Sequence, residues 1–126
     1  MEHILYSDGN AKKICWTIKT DSSAVDQFRD HADIFLDQVT YMQSKYIALH
    51  VGLFWSIGVF IIKNGDIVKI MLDSEEMLSH LSTGSKSQDG LSESRKGFIN
   101  QLAEQRNLKL KYEKIVPQNN ISSKML

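Results

Sequence analysis

The sequence predicts an α/β fold in which helices pack on a mixed β-sheet, with the element order β-β-β-α-β-α-α-β. Strand-like apolar runs dominate the N-terminal third, and one long apolar helix follows them. Strand-length runs then alternate with helical stripes of period 3–4. A chain of 126 residues is long enough for one domain, so we assign residues 1–126 to a single domain.

The N-terminal strands are identified by β-branched and aromatic residues. Glu2–Ser7 and Lys13–Thr20 are separated by the turn-forming Asp8-Gly9-Asn10, which predicts a hairpin. Asp21–His31 is polar and without a clear period, which predicts a loop. Asp33–Thr40 is predicted to be the third strand because of its apolar content.

A long apolar segment predicts the first helix, from about Ser44 to Ile62, with the Ser44 hydroxyl as its N-cap. Tyr46–Ile62 has the shortest length that spans a membrane, so a membrane span is an alternative. His50 and Ser56 within the segment, and patterned strands on either side, favour a helix buried in a soluble core.

The second half of the chain predicts two strands and two helices. Ile67–Leu72 is almost continuously apolar, as expected for a strand covered on both faces. Ser74 is predicted to cap a helix that reaches about Leu81, and Ser92–Asn107 is predicted to be the third helix. Leu108, Leu110 and Tyr112 alternate with charged residues and predict a last strand with one exposed face.

Composition sets limits on the partners and on the compartment. Net charge is zero, but residues 95–126 hold seven basic and two acidic residues, a local charge of +5, which indicates an anionic partner or a solvated strand face. A single cysteine, Cys15, excludes an internal disulfide and favours a reducing compartment, so we expect a cytoplasmic protein without a secretion signal. The scattered histidines argue against zinc: His3, His31, His50 and His80.

Three motifs resemble the ribonuclease H family when they are taken together and in order. They are Tyr6-Ser7-Asp8-Gly9 at the end of the first strand, Ile67–Ser74 with Asp73 ending the fourth strand, and Val116-Pro117-Gln118-Asn119-Asn120 near the C-terminus. The resemblance implies a ribonuclease H-like fold and places Asp8 and Asp73 as metal ligands. Enzymes of the family hydrolyse the RNA strand of RNA–DNA hybrids with two Mg²⁺ or Mn²⁺ ions held by four acidic residues.

The sequence departs from that family at the other two acidic positions. The glutamate of the first helix corresponds to Lys45, and no glutamate occurs between Glu2 and Glu75. The last aspartate, four residues after Asn120, corresponds to Lys124. If both lysines meet the aspartates, the four charges cancel without metal ions, which predicts weak Mg²⁺ binding and no hybrid cleavage. Alternatively, both lysines are ordinary exposed side chains.

These features favour a ribonuclease H-like domain that has lost catalysis, needs no cofactor and binds nucleic acid (an RNA–DNA hybrid or RNA) or a protein partner. The resemblance and the local charge give the candidate nucleic-acid contacts as Lys109, Lys111, Lys114 and Asn120. One alternative is an active nuclease that binds Mg²⁺ or Mn²⁺ at Asp8 and Asp73. Another is a structural or assembly subunit, including a homo-oligomer. Residues 115–126 are expected to form a shortened or frayed last helix.

Overall fold

A five-stranded mixed sheet forms the centre of the computed structural model, which describes all residues from 1 to 126. The strands lie in the order β3-β2-β1-β4-β5. β1, β2 and β3 form an antiparallel meander, whereas β4 pairs parallel with β1, and β5 parallel with β4. The strand bounds are β1 Glu2–Gly9, β2 Lys13–Thr20, β3 Ser23–Asp30, β4 Ile67–Leu72 and β5 Lys109–Lys114.

Three α-helices complete the predicted element order: α1 (Tyr41–Gly58), α2 (Glu75–Ser82) and α3 (Gly90–Arg106). α1 packs on β1 and β2, and α3 packs beside α1. The last residues form two 3-10 turns, Pro117–Asn119 and Ile121–Met125, so the expected last helix is shortened to these turns. The fold class predicted from the sequence is therefore confirmed.

Strand β2 is buried on both faces, which explains its unbroken apolar character. On one face Trp16 packs so closely against α1 that a Cβ atom at Gly52 would lie 2.9 Å from Trp16 Cγ. Successive side chains of a strand point to opposite faces. Cys15 therefore points away from α1, and its Sγ donates to the Ser122 carbonyl at 3.2 Å in the second 3-10 turn. Cys15 is a buried free thiol, and burial raises its pKa to about 11.

The prediction of the third strand was wrong in position. β3 is Ser23–Asp30, within the segment predicted to be a loop, because Asp21 adopts a left-handed conformation (φ 53°) that turns the chain back directly after β2. As an edge strand, β3 buries few side chains, so its sequence is polar and lacks the apolar alternation that would indicate a strand. Residues 33–40 form turns instead, and Asp37 is also left-handed (φ 58°).

The bounds of α1 also differ from the prediction. Thr40 is the N-cap: its hydroxyl accepts the Gln43 amide, while the Gln43 side chain accepts the Thr40 amide. Ser44 lies one turn further on, where it is buried beside His31. The helix ends at Gly58 and not at Ile62. None of the helices is long and apolar enough to cross a membrane.

The other elements agree with the sequence within two residues. Ser74 caps α2. Gly65 has a left-handed φ of 87° but does not end α1, because that helix already ends at Gly58 with Val59 as its C-cap. α3 begins slightly earlier than predicted, because the Asp89 side chain accepts the Ser92 amide and caps the helix there. Strands β4 and β5 follow the predicted apolar patterns.

A buried carboxylate joins the start of β1 to the start of β4. Asp66 accepts hydrogen bonds from His3 Nε2 and from the Lys63 amide, both at 2.8 Å, and lies 3.3 Å from the N-terminal ammonium. Burial alone would raise the pKa of Asp66, but the His3 and Lys63 hydrogen bonds and the ammonium outweigh it and lower the pKa to about 2.

Acid unfolding should depend on Asp66. Since its pKa is lower in the folded state than in the unfolded chain, Asp66 contributes stability above about pH 4 that is lost as the pH falls toward 2. The expected contribution is about 2 kcal/mol. In urea titrations between pH 5 and pH 2, Asp66→Asn should flatten this part of the stability curve, while the exposed control Asp30→Asn should not. Equal curves for both variants would contradict the assignment.

Candidate functional site

Two aspartates lie together at one edge of the sheet. β1 and β4 run parallel with Tyr6 opposite Met71. Asp8 and Asp73 each follow two residues later, so they reach the same edge side by side. Both are largely buried, with side chains 12% and 7% exposed. The structure thus brings together the two residues that the sequence indicated as a site.

Lys45 lies between the two aspartates. It projects from the second turn of α1, and its Nζ donates to Asp8 Oδ1 at 2.7 Å and to Asp73 Oδ1 at 2.9 Å. The close approach of β1 to α1 depends on Gly9, since a Cβ atom there would overlap Ser44. An ammonium group therefore occupies the space between the carboxylates.

The C-terminal turns supply the remaining contacts. Asn120 Nδ2 donates to Asp73 Oδ2 at 2.9 Å and to the Ser7 carbonyl at 3.0 Å. Ser123 Oγ donates to Asp8 Oδ2. All four carboxylate oxygens of the aspartates thus accept a hydrogen bond from this chain.

Lys124 does not take part, so the predicted convergence of both lysines was wrong for this residue. Its Nζ lies 3.2 Å from Asp26 Oδ2 on β3, and its side chain is 63% exposed. Ser123, one residue earlier, contacts Asp8 instead. A 3-10 helix has three residues per turn, so neighbouring side chains point about 120° apart and an offset of one residue changes the partner.

Ser123 was the residue that sequence reasoning missed. The Asn120 side chain caps its own turn by accepting the Ser122 amide at 3.3 Å and the Ser122 hydroxyl at 2.6 Å. This local cap sets the direction of Ser123. The Asn-x-Ser spacing was the available signal, since asparagine and serine side chains commonly form such turns.

The charges of the site nearly cancel within the chain. Burial alone would lower the pKa of Lys45, but the hydrogen bonds and charges of Asp8 and Asp73 outweigh burial and raise the pKa above its usual value. Lys45 is therefore an ammonium ion at neutral pH, and its stabilising contribution is lost only when the pH rises through this raised pKa. Two carboxylates and one ammonium leave a net charge of −1.

These residues do not fit the two divalent ions that the resemblance implies. Mg²⁺ and Mn²⁺ require several oxygen ligands around each ion. Here the Lys45 ammonium occupies the space between the carboxylates, and Asn120 directs its NH₂ group toward Asp73. Nowhere in the chain do three or more histidine, cysteine, aspartate or glutamate side chains form a group suited to a metal ion.

The other predicted contact residues lie along β5. Lys109, Lys111 and Lys114 are all exposed. Lys114 pairs with Leu72, the residue before Asp73, so it lies at the same edge of the sheet as the site. Lys109 lies at the opposite end of the strand, where it pairs with Ile67. The structure therefore brings only Asn120 into the aspartate site and places Lys114 beside it.

Comparison with known proteins finds similarity at the level of structure. The sequence matches no family model and no curated protein. Ribonuclease H1 from the halophilic archaeon Halobacterium salinarum NRC-1 superposes with a TM-score of 0.81 at 13% identity, over 100% of this chain and 94% of that chain. The N-terminal ribonuclease H domain of a Mycobacterium tuberculosis protein superposes with a TM-score of 0.76 at 15% identity, over 95% of this chain and 86% of that chain.

A third similar structure is a ribonuclease H1 isolated from compost by a metagenomic approach. It gives a TM-score of 0.76 at 16% identity, over 98% of this chain and 91% of that chain. The same enzyme in complex with an RNA/DNA hybrid superposes with a TM-score of 0.73 at 16% identity, over 94% of this chain and 88% of that chain.

The similarity and the sheet order show that this chain has the ribonuclease H-like fold. Among proteins of that fold, its structural neighbours are ribonuclease H1 enzymes, which it resembles over nearly its whole length at low sequence identity. The resemblance found in the sequence is therefore confirmed for the fold.

Proposed function

We propose that this chain is a ribonuclease H-like domain that has lost metal-dependent cleavage and binds RNA–DNA hybrids without cutting them. The observation that carries the proposal is the Lys45 ammonium, within 2.9 Å of both Asp8 and Asp73. Two-metal hydrolysis needs these carboxylates as metal ligands, and here both already bind the internal Lys45 ammonium. Breaking both ion pairs to admit a metal ion would leave a largely buried ammonium uncompensated.

Hybrid binding is supported by the position of the exposed lysines. Lys109, Lys111 and Lys114 follow one edge strand, and Lys69 lies opposite Lys111 on β4. Glu113 pairs with Lys69 at 3.4 Å, so the β5 lysines remain available to phosphates. A ribonuclease H1 of this fold is known in complex with an RNA/DNA hybrid, which makes the hybrid the first ligand to test.

Loss of cleavage is tested with a labelled RNA–DNA hybrid in about 10 mM Mg²⁺ and, separately, about 1 mM Mn²⁺. The expected result is no cleavage above that of the Asp73→Asn variant. Cleavage by the wild-type chain that Asp73→Asn abolishes would show an active nuclease with a reduced ligand set, and the proposal would be wrong.

Binding is tested by fluorescence anisotropy at low salt with the hybrid, duplex RNA and single strands. Changing Lys109, Lys111 and Lys114 together to glutamine should weaken hybrid binding at least about tenfold and reduce the salt dependence of the dissociation constant. A matched control removes three exposed cations elsewhere: Lys63→Gln, Lys86→Gln and Arg106→Gln. Equal loss in both variants, or no binding by the wild-type chain, would contradict hybrid binding and favour a structural subunit.

A further inference from the structure

Helices α1 and α3 expose aromatic side chains on their shared outer surface. Phe54 of α1 is 61% exposed and Phe98 of α3 is 49% exposed. His50, one turn before Phe54, stacks on the Phe98 ring with centroids 5.4 Å apart. His50 and Phe54 are four residues apart on one face of α1, so the three rings lie on the same side of the helix pair. Exposed apolar surface of this kind marks interaction sites in soluble proteins.

This surface continues toward the segment before α1. Arg95 of α3 donates to His50 Nδ1 at 2.8 Å, and its guanidinium lies 5.6 Å from the centre of the Phe35 ring. The neighbouring Ile34 is 76% exposed. Asp33, the residue before Ile34, is exposed as well and adds a carboxylate to the segment that Arg95 contacts through Phe35.

The surface also continues in the other direction, past the end of α1. A groove of about 570 Å³ there is lined by Ile57, Gly58 and Phe60, and Phe60 is 78% exposed. Lys63 and Arg106 line the same groove and are exposed, so this end is basic.

The middle of the surface carries one charge, the Arg95 guanidinium, which donates a hydrogen bond to His50. Residues 46–58 of α1 include no acidic or basic residue apart from His50. Burial, together with the Arg95 charge, lowers the pKa of His50 to about 4, so His50 is neutral at pH 7. Asp33, Lys63 and Arg106 form no ion pair within the chain. An apolar surface with opposite unpaired charges at its two ends is complementary to its own inverted copy.

We propose that two copies of this chain pair through this α1–α3 surface about a two-fold axis close to Phe54 and Phe98. A two-fold axis places every residue against the inverted surface of the other copy. The Asp33 carboxylate of each copy then faces Lys63 and Arg106 of the other copy. This arrangement is independent of the aspartate site and of the proposed hybrid binding.

The exposed apolar side chains supply a large part of the area that a stable contact needs. Taking about 200 Å² for a fully exposed large side chain, Phe54, Phe60, Phe98 and Ile34 present on the order of 500 Å² per copy. A standard interface buries about 800 Å² per partner, so these four side chains supply more than half of it.

The first test is sedimentation velocity of the full chain between about 5 and 500 µM, which covers the affinities typical of weak dimers. A reversible monomer–dimer equilibrium is expected. Phe54→Glu should raise the dimer dissociation constant by about 30-fold or more, because it places a charge at the centre of the interface. The control Phe28→Glu changes a side chain that is 57% exposed on β3 and should leave the constant within about threefold. Circular dichroism verifies that both variants fold.

The second test reverses the end charges. Asp33→Lys alone should weaken the dimer about tenfold, and adding Lys63→Glu and Arg106→Glu should restore it, since opposite charges again face each other. A monomer at every concentration would overturn the proposal, even if another partner binds this surface. Equal effects of Phe54→Glu and Phe28→Glu, or failure of the charge reversal to restore pairing, would also overturn it.

Discussion

Replacing Lys45 by methionine is expected to destabilise the domain by about 3 kcal/mol at neutral pH. The change leaves Asp8 and Asp73 largely buried and close together without a counter-charge, which is the costly way to break a buried ion pair. The control Lys124→Met breaks the exposed pair with Asp26 and should cost no more than about 0.5 kcal/mol. Urea unfolding of both variants at pH 7 provides the measurement.

Divalent cations separate this explanation from a simple loss of packing. Adding about 10 mM Mg²⁺ should restore part of the stability of Lys45→Met, since a bound cation compensates the two carboxylates, and should leave the wild-type chain unchanged. If Mg²⁺ has the same effect on both, the repulsion between Asp8 and Asp73 is not the cause of the loss.

Combining Lys45→Glu with Ser123→Asp is expected to create a site for divalent metal ions. The two added carboxylates, with Asp8 and Asp73, would give four acidic side chains at one edge of the sheet. We expect Mn²⁺ binding with a dissociation constant below about 1 mM, and an increase in the melting temperature with Mn²⁺ concentration. Isothermal titration calorimetry and thermal unfolding measure both effects.

The matched control for this design is Lys45→Glu with Lys124→Asp, the combination that the sequence alone would suggest. Because residue 124 points toward β3, the control should bind Mn²⁺ at least about tenfold more weakly. If the Ser123→Asp combination unfolds without metal and folds with it, the site is formed as expected. Equal binding by the two combinations would mean that the C-terminal turns do not hold Ser123 as described.

The strands of the sheet centre were predictable because their sequence patterns follow from burial. β4 is almost continuously apolar since both of its faces are covered, and its end is marked by Asp73. β3 was not predictable in the same way. An edge strand with few buried side chains has no apolar pattern, and the turn at Asp21 depends on a left-handed backbone that aspartate adopts only sometimes.

The part of the site that lies on the predicted strands and helix was also predictable. Asp8 and Asp73 lie at the ends of adjacent parallel strands, and Lys45 lies on the helix that packs on β1. The resemblance to the ribonuclease H family implied that these three residues come together, as they do. Gly9 allows the close approach of that helix, and the sequence shows it only as part of a turn.

By itself, then, the sequence determined the fold class, because apolar periodicity and strand ends are local properties of the chain. Its resemblance to the ribonuclease H family indicated the two aspartates and the lysine that replaces an expected acid. Only the tertiary structure decided which C-terminal residue completes the site. The side chains of Ser123 and Lys124 point in different directions from one short turn, and the direction of each is set by the Asn120 cap and by packing against β1 and β2. The contacts of Ser123 with Asp8 and of Asn120 with Ser7 join residues more than a hundred positions apart, and no local pattern encodes them.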